Sequence, residues 1–242
     1  MSPVLPPLPE PFGWQGGQIT ASLPGGGVLF TTRREGACGR PIDLKRWTEP
    51  AVGEALAAQV GLPATRIAQS HQAHEARVRA IVAQADLQAP PSDYDAQVST
   101  LADVACVVRT ADCLPIALIA PGAVGAVHAG WRGLALGVVQ AAVSALRQLG
   151  ATEIGAAIGP SARVCCYETG EEVHAAFAGF GAPARRGSHA DLVAVARTIL
   201  EQEGVTEIHD TELCTICEPE LFWSFRREGE AAGRQGLAAW RS

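Results

Sequence analysis

Short apolar runs alternate with longer apolar stripes along this chain, which predicts strands and helices that interleave. Apolar or alternating runs typical of strands occupy residues 28–32, 77–82, 104–108, 114–120, 123–128, 153–158 and 205–209. Stripes with helical spacing occupy residues 51–60, 133–149, 171–178 and 191–203. Gly61, Gly150 and Gly204 follow three of these stripes, as expected at helix C-termini. This order of elements predicts an α/β layered fold.

A Pro-Gly dipeptide at residues 121–122 joins two of the predicted strands and sets their register. A two-residue loop there would place Cys113 opposite Gly130 and diagonal to His128, on the same face of the hairpin. A register shifted by one residue would place the two side chains on opposite faces. The pairing of Cys113 with His128 therefore depends on the type of turn.

The composition narrows the class of protein and its partners. The 242 residues are 48% hydrophobic and carry a net charge of −6, so we expect a sizeable core and no nucleic acid as the main partner. No apolar stretch reaches the roughly 20 residues of a membrane-spanning helix. The proline-rich start lacks the pattern of a signal peptide. We therefore expect a cytoplasmic protein without a membrane partner, in which the seven cysteines do not form a disulfide framework.

Two histidines and one cysteine form a candidate metal site: His74, Cys113 and His128. Two imidazoles and one thiolate are the ligand set of a catalytic zinc site, whose fourth position stays open. Spacing alone does not distinguish His74 from a surface histidine or a hydrogen-bonded core histidine, because 39 residues separate it from Cys113. The predicted hairpin at residues 114–128 favours the pairing of Cys113 with His128.

Several segments resemble the motifs of the YfiH-type proteins, long labelled multicopper polyphenol oxidases or laccase-domain proteins. These segments are FTTRREG, QAHEARV, DYDAQVST, TADCLPIAL, VGAVHAGWRG, AAIGPSARVCCYETGEEV, CTICEPELFWSFRRE and GRQ. The resemblance assigns residues 28–242 to one family domain, preceded by a proline- and glycine-rich segment at residues 1–27. It implies a single-domain, four-layer α/β/β/α fold with mixed sheets, similar to the catalytic domain of cytotoxic necrotizing factors.

The resemblance also implies a function. It implies metal ligation by His74, Cys113 and His128, with zinc as the expected cofactor and copper as the alternative. The implied reactions are phosphorolysis of adenosine, inosine or S-methyl-5′-thioadenosine, and deamination of adenosine. The expected partners are therefore a purine nucleoside and phosphate, while the oligomeric state stays open.

Arginines within the matched motifs are candidates for substrate binding. Arg33 and Arg132 could each clamp a phosphate through the two arms of a guanidinium. Arg132 and its neighbour Trp131 precede the predicted helix at 133–149, whose N-terminus would favour an anion. The alternative for each arginine is a surface salt bridge.

Other motif residues are candidates for catalysis. Cys113 is assigned as catalytic as well as metal-ligating, and Asp112 is a candidate for proton transfer or for support of the metal ligands. If Cys165 and Cys166 lie in a strand they face opposite sides, and the resemblance favours Cys166, followed by Tyr167, as the pocket residue. A second pair, 214–217, has the spacing of half a zinc knuckle, but no second C-x-x-C completes it, so we interpret it as structural.

Some residues depart from the family pattern. Glu75 stands where the family has glycine, Ala55 and Leu56 replace an asparagine-arginine pair, and Cys38 replaces a serine. In a strand Glu75 would point away from the metal face, whereas in a turn its carboxylate could reach the pocket and repel phosphate. We favour the solvent-facing geometry. His71, three residues before His74, is not assigned as a ligand.

Three other functions stay open at the level of sequence. A copper polyphenol oxidase is one alternative, but six histidines and a single methionine are few for a blue-copper centre together with a multicopper cluster. A metal-free cysteine hydrolase would use Cys113 as nucleophile and His128 as base. A binding scaffold without enzymatic activity is the third. Activity measured after removal of the metal with a chelator would distinguish the copper oxidase from the metal-free hydrolase.

Overall fold

Two six-stranded sheets form the centre of the structure, a computed structural model that describes residues 5–36, 39–88 and 92–241. The first sheet has the order β1, β2, β3, β14, β7, β4, with the bounds Gly13–Gln15, Gln18–Leu23, Gly26–Phe30, Gln235–Arg241, Ala105–Thr110 and Ile67–Ala68. The second has the order β13, β10, β8, β9, β6, β5, with the bounds Glu207–Asp210, Gly155–Ile158, Leu114–Ala120, Ala123–Ala129, Ala96–Ser99 and Val78–Ile81. Both contain parallel and antiparallel pairs, so both are mixed sheets.

Helices and one small hairpin surround these sheets. The helices α1 to α7 have the bounds Pro50–Val60, Gln84–Leu87, Trp131–Ala135, Val138–Gln148, Glu171–Ala176, Leu192–Gln202 and Phe225–Glu228. The hairpin consists of β11 (Arg185–Arg186) and β12 (His189–Ala190). Within the described ranges, no helix is both long enough and apolar enough to cross a membrane.

Three apolar clusters stack the elements into four layers. The central cluster lies between the sheets, where Phe30 and Leu237 of the first sheet meet Ile119 and Val124 of the second. An outer cluster packs α1 against the other face of the first sheet. The third packs α4 and α6 against the other face of the second sheet. The layers therefore run α, β, β, α, and the four-layer mixed α/β fold expected from the resemblance is confirmed.

The predicted strands and helices are present with small shifts at their ends, apart from one helix. The stripe at residues 133–149 forms two helices, because Gly137 adopts φ +91° and interrupts the chain between α3 and α4. Residues with a side chain rarely adopt a positive backbone φ of this size, whereas glycine does so at little cost. The apolar stripe continues across the break, with Leu134 and Val138 both buried. The prediction of a single helix was therefore wrong, although the predicted apolar stripe is present on both sides of the break.

The hairpin of β8 and β9 has the register that a two-residue loop predicts. Leu114 pairs with Ala129 and Pro115 pairs with His128. Every residue of both strands is buried, because β8 and β9 lie in the middle of the second sheet with apolar clusters on both faces. The prediction that Cys113 and His128 point to the same face is confirmed.

The start of the chain contributes to the first sheet. β1 and β2 pair with each other, and β2 pairs with β3. The boundary placed between residues 27 and 28 therefore falls inside β3, and the side chain of Ile19 is fully buried. Cys38, one of the departures from the family pattern, lies outside the described residues.

Candidate functional site

Three separate segments bring His74, Cys113 and His128 together. His74 lies in the loop before β5, Cys113 directly precedes β8, and His128 lies near the end of β9. Their potential ligand atoms are all within 4.8 Å of one another, and the two imidazole ring centres are 4.9 Å apart. His74 is exposed and His128 is buried, so the group lies where the core opens to the surface.

Two glycines of the segment HAGWRG allow these loops to approach each other. A Cβ atom at Gly130 would lie 2.5 Å from Nδ1 of His74 and 3.3 Å from Sγ of Cys113. A Cβ atom at Gly133 would lie 2.9 Å from the carbonyl oxygen of Glu75. Contacts of about 2.5 Å are shorter than packed protein atoms tolerate, so glycine at position 130 is a requirement of the site.

A buried carboxylate, Asp95, holds the two histidines in place. Its Oδ1 accepts a hydrogen bond of 2.6 Å from Nδ1 of His128 and one of 3.1 Å from the backbone N–H of His74. Its Oδ2 accepts from the backbone N–H groups of Ala73 and Glu75, at 3.1 and 2.8 Å. The bond to Nδ1 leaves Nε2 of His128 free to bind a metal, the usual role of a carboxylate behind a ligand histidine.

Asp95 was missed at the level of sequence, although a signal for it was present. It lies in DYDAQVST and directly precedes β6, in which every residue is buried. A carboxylate at the entry to a fully buried strand needs hydrogen-bonding partners, so it indicates a site. The backbone N–H groups of three successive residues and one imidazole provide them.

The pKa values in this group reflect burial and close charges. Burial lowers the pKa of His128, but the charge of Cys113 and the hydrogen bonds to Asp95 and Cys113 outweigh it and raise this pKa to about 9. Burial and the charge of His128 lower the pKa of His74. Burial would raise the pKa of Asp95, yet the hydrogen bonds from His128 and the backbone hold it below its ordinary value. The three side chains and Asp95 are therefore coupled electrostatically.

The donor set fits a metal ion with an open coordination position. Two imidazoles and one thiolate converge, and the described residues of this group supply no fourth donor. This is the pattern of catalytic zinc sites, whereas structural sites supply four protein ligands. A buried carboxylate behind one histidine adds the outer contact such ligands need.

A cavity of about 560 Å³ opens beside these three side chains. Its volume suits a small organic ligand. The cationic side chains on its wall are Lys45, Arg109, Arg132, Arg226 and Arg234. Among the described lining residues the only acidic one is Asp112. None of the five cations forms an ion pair with a carboxylate in the described part of the chain. This excess of positive charge makes the cavity suitable for an anion.

Two of these arginines lie close enough to influence each other. Burial lowers the pKa of Arg109, and the charge of Arg234 lowers it further. Arg109 makes a long contact of 3.4 Å to Oε1 of Gln72, and Arg234 donates to the carbonyl groups of Ala232 and Gly233. Neighbouring guanidinium groups without a carboxylate are stabilised by a bound anion.

The structure places Arg33 elsewhere. Its guanidinium donates to the carboxylate of Glu228 at 3.0 Å and to the carbonyl of Pro219 at 2.9 Å. It lines a separate surface depression that contains Arg34 and Glu220, and not the cavity beside His74. The salt bridge weighed for Arg33 at the level of sequence is the geometry observed, and its assignment as a phosphate ligand does not agree with this position.

Three aromatic rings lie on the cavity wall, each stacked against an arginine. Arg132 lies 4.4 Å from the ring centre of Trp131, Arg226 lies 4.7 Å from that of Tyr167, and Arg234 lies 5.9 Å from that of Phe225. Cation–π contacts of this kind help to hold a guanidinium in place. Trp131, Arg132 and Tyr167, assigned to substrate binding from the sequence, thus line one cavity.

Arg132 does not lie before a long helix, in contrast to the prediction from the sequence. α3 has only five residues because Gly137 interrupts the chain, so Arg132 does not precede a long helix with a strong dipole. Arg132 still contributes a positive charge to the cavity through its own side chain.

Asp112 supports the site through three hydrogen bonds. Oδ1 accepts from the hydroxyl of Thr215 at 2.6 Å, and Oδ2 accepts from the hydroxyl of Ser224 at 3.0 Å and the backbone N–H of Arg226 at 2.7 Å. Its backbone has φ +84°, which positions Cys113 at the start of β8. Both oxygens accept hydrogen bonds, which agrees with the supporting role considered for Asp112, while its role in proton transfer stays a prediction.

Cys166 does not line the cavity, in contrast to its assignment from the sequence. Cys165 and Cys166 lie in a turn, not a strand. Sγ of Cys166 is 3.1 Å from Sγ of Cys217, and Cys214 completes a group of four sulfur atoms. The adjacent pair at 165–166 thus lies against the C-x-x-C pair at 214–217, a contact between distant segments that the spacing of the cysteines does not reveal. The interpretation of the second pair as structural stays a prediction.

His71 and Glu75, both close to His74 in sequence, lie outside the ligand group. His71 is exposed and bonds to Asp93 at 2.7 Å. Glu75 lies in the loop before β5, is exposed, and is not part of the cavity wall. The solvent-facing geometry favoured for Glu75 therefore agrees with the structure, although the residue is not in a strand.

Comparison with known proteins places this site in a family. The family model described as "Multi-copper polyphenol oxidoreductase laccase" matches residues 51–242. A purine nucleoside phosphorylase of Aquifex aeolicus is 42% identical over 144 residues, which cover 59% of this chain and 69% of that protein. Adenosine deaminase RL5, from an unknown prokaryotic organism, is 36% identical over 200 residues, which cover 74% of this chain and 76% of that protein.

A solved structure agrees with these sequence matches. The crystal structure of Neisseria meningitidis protein NMB0706 has a TM-score of 0.79 and 33% identity to this chain, and the match covers 93% of this chain and 99% of that one. The resemblance inferred from the motifs is thus confirmed by sequence and by fold. The chain belongs to the multi-copper polyphenol oxidoreductase laccase family, whose named relatives are enzymes.

Proposed function

We propose that this protein is a zinc-dependent enzyme of purine nucleosides. It would catalyse the phosphorolysis of adenosine, inosine or S-methyl-5′-thioadenosine and the deamination of adenosine. One observation carries the proposal: a three-donor group with an open position faces a cavity whose wall holds five cations without carboxylate partners. The names of two relatives, a purine nucleoside phosphorylase and an adenosine deaminase, support the same chemistry.

Different residues of the cavity would bind different parts of the substrates. Arg109 and Arg234 would hold phosphate, because their neighbouring positive charges favour an anion between them. The rings of Tyr167, Trp131 and Phe225 line the cavity, and the parts of them that the stacked arginines leave uncovered would contact a purine ring. Such binding would place phosphate beside the ribose carbon, where a new C–O bond forms as the C–N bond to the purine breaks.

The residues around the metal ligands would keep the reactive centre in place. Zinc held by His74, Cys113 and His128 would supply Lewis-acid chemistry and lower the pKa of water toward about 7. Asp95 would hold the Nδ1 proton of His128 and order the loop of His74 through the backbone. Asp112 would anchor the loop of Cys113 to Thr215 and Ser224.

Two alternatives give distinct expectations. A polyphenol oxidase with a multicopper centre would need more donors than the described residues group beside the cavity, where three converge. A metal-free cysteine hydrolase would use the contact between Cys113 and His128 and would keep its activity after removal of the metal.

Metal analysis together with turnover on one purified sample tests the proposal. We expect zinc-loaded protein to release purine base in proportion to phosphate at low phosphate concentration, and to lose this activity in Cys113→Ser and after chelation. Cys106→Ala is the matched control, because Cys106 is buried in β7, away from both groups of potential ligands. Turnover that survives chelation would favour the cysteine hydrolase. Copper-dependent oxidation of phenols without nucleoside turnover would favour the oxidase.

A further inference from the structure

Four cysteines converge at a second place in the molecule, beside the cavity but not on its wall. Cys165 and Cys166 lie in one turn, and Cys214 and Cys217 lie in another. All four sulfur atoms are within 4.8 Å of one another. Sγ of Cys217 is 3.6 Å from Sγ of Cys165 and 3.1 Å from Sγ of Cys166.

These distances fit a metal site better than disulfide bonds. A disulfide joins two sulfur atoms at about 2.05 Å. In a tetrahedral zinc site with Zn–S bonds of about 2.3 Å, the sulfur atoms lie about 3.8 Å apart. The observed separations of 3.1 and 3.6 Å are closer to the second value than to the first, and all pairs of sulfur atoms lie within 4.8 Å.

The two turns are also joined by their backbones. Ser161 and Cys214 form an isolated parallel bridge, and the N–H of Thr215 donates to the carbonyl of Ser161 at 3.0 Å. These contacts bring the two pairs of cysteines together without any bond between the sulfur atoms. Because Cys165 and Cys217 are exposed, an ion can reach the group from solvent.

We propose that Cys165, Cys166, Cys214 and Cys217 bind a second zinc ion in a closed four-thiolate site. Four protein ligands leave no open position, so this ion is structural and takes no part in the reaction. Its effect reaches the cavity through neighbouring residues. Tyr167 directly follows Cys166 in the chain and lies on the cavity wall. Thr215 directly follows Cys214, and its hydroxyl donates a hydrogen bond to Asp112. The ion thus fixes the loops that carry these two side chains.

Zinc content and zinc coordination in matched variants test this inference. The full-length protein is produced with zinc in the medium and purified with a reductant. We expect about two zinc ions per chain in the wild type and in Cys106→Ala, and about one in Cys217→Ser. Cys217→His should regain the second ion, because three cysteines and one histidine also form structural zinc sites.

Cys113→Ser separates the second site from the first. This variant removes a ligand of the candidate active site and leaves the four-cysteine group intact. We expect it to retain about one zinc ion, with four sulfur neighbours at about 2.3 Å in X-ray absorption. This result does not depend on any enzymatic activity, and it decides the question by itself if Cys217→Ser does not fold.

Three results would overturn the inference. The first is Cys113→Ser protein without zinc, and the second is zinc bound through nitrogen or oxygen instead of four sulfur atoms. The third is a disulfide among the four cysteines, found by mass spectrometry in protein purified with reductant. Failure of the proposed nucleoside activity would leave the expected coordination unchanged, so the two proposals fail separately.

Discussion

Two Asp–His pairs in this molecule share their chemistry and differ in their surroundings. His71 bonds to Asp93 at 2.7 Å and His128 bonds to Asp95 at 2.6 Å. The side chains of the first pair are 68% and 51% exposed, whereas those of the second are 4% and 0% exposed. Asp93 and Asp95 are two residues apart in the chain, so a local motif does not distinguish them.

The difference shows how burial changes what a pair can do. Water screens the exposed pair, so its contribution to stability is expected to be small, about 0 to 1 kcal/mol. The buried pair has additional partners. Asp95 also accepts hydrogen bonds from three backbone N–H groups, and His128 faces Cys113. A buried carboxylate with four partners can position a metal ligand. The exposed pair lies outside the ligand group.

Replacing the histidine of each Asp–His pair by alanine should give the largest difference between the two pairs. We expect His128→Ala to lose the zinc of the candidate active site and to reduce nucleoside turnover by more than about 10²-fold, which exceeds the loss expected for a residue that only positions a ligand. His71→Ala should leave both properties near wild type. Zinc analysis and initial rates on the two purified variants measure the contrast. Zinc retained in His128→Ala, with its normal affinity, would contradict the assignment.

Replacement of each aspartate by asparagine should give the next largest contrast. Asp95→Asn keeps an oxygen acceptor but removes the charge behind His128, so we expect zinc affinity and turnover to fall by about 10- to 100-fold. Asp93→Asn is the matched control, and we expect no more than a twofold change, about 0.4 kcal/mol. Competition with a coloured chelator gives the affinities. Equal losses in both variants would mean that burial does not separate the two pairs.

A similar comparison applies to two arginines, Arg33 with a carboxylate partner and Arg234 without one among the described residues. We expect Arg234→Ala to raise the KM for phosphate about tenfold, since a hydrogen bond to a charged group contributes about 1.5 kcal/mol or more. Arg33→Ala should leave this KM unchanged and alter only stability, because Arg33 is paired with Glu228. Base release measured against phosphate concentration tests both. A larger effect in Arg33→Ala would restore the assignment made from the sequence.

Glu75→Gly should have the smallest effect. Glu75 is exposed and contributes its backbone N–H to Asp95, a bond that glycine keeps. We expect unchanged zinc content, an unchanged KM for phosphate and a loss of stability of no more than about 0.5 to 1 kcal/mol. Thermal unfolding and phosphate titration measure these quantities. A several-fold lower KM for phosphate would show that the carboxylate does act on the cavity.

Much of the fold could be predicted from local patterns. The strands β8 and β9 and the turn between them follow from apolar runs joined by Pro121 and Gly122, and this register brought Cys113 and His128 together in the prediction. Such features depend on residues close in sequence. The break at Gly137 was missed because the apolar stripe continues on both sides of it.

The rest of the site depends on contacts between distant segments. Arg109 lies in β7 and Arg234 lies directly before β14, and no periodicity of the sequence relates the two positions. Cys166 and Cys217 are 51 residues apart, and only the two turns together show that they converge. The sequence places Asp95 in the matched segment DYDAQVST, but the burial of the strand that follows it and its hydrogen-bonding partners became visible only in the structure.

The position of β14 has a consequence for folding. This strand lies inside the first sheet, between β3 and β7, and pairs Leu237 with Phe30 and with Val108. Bringing Leu237 to Phe30 closes a loop of about 200 residues, and such non-local pairing slows folding. Until β14 arrives, β3 and β7 each present an unpaired edge that can bind another chain. Nascent chains that stall before residue 235 should therefore be especially prone to aggregate.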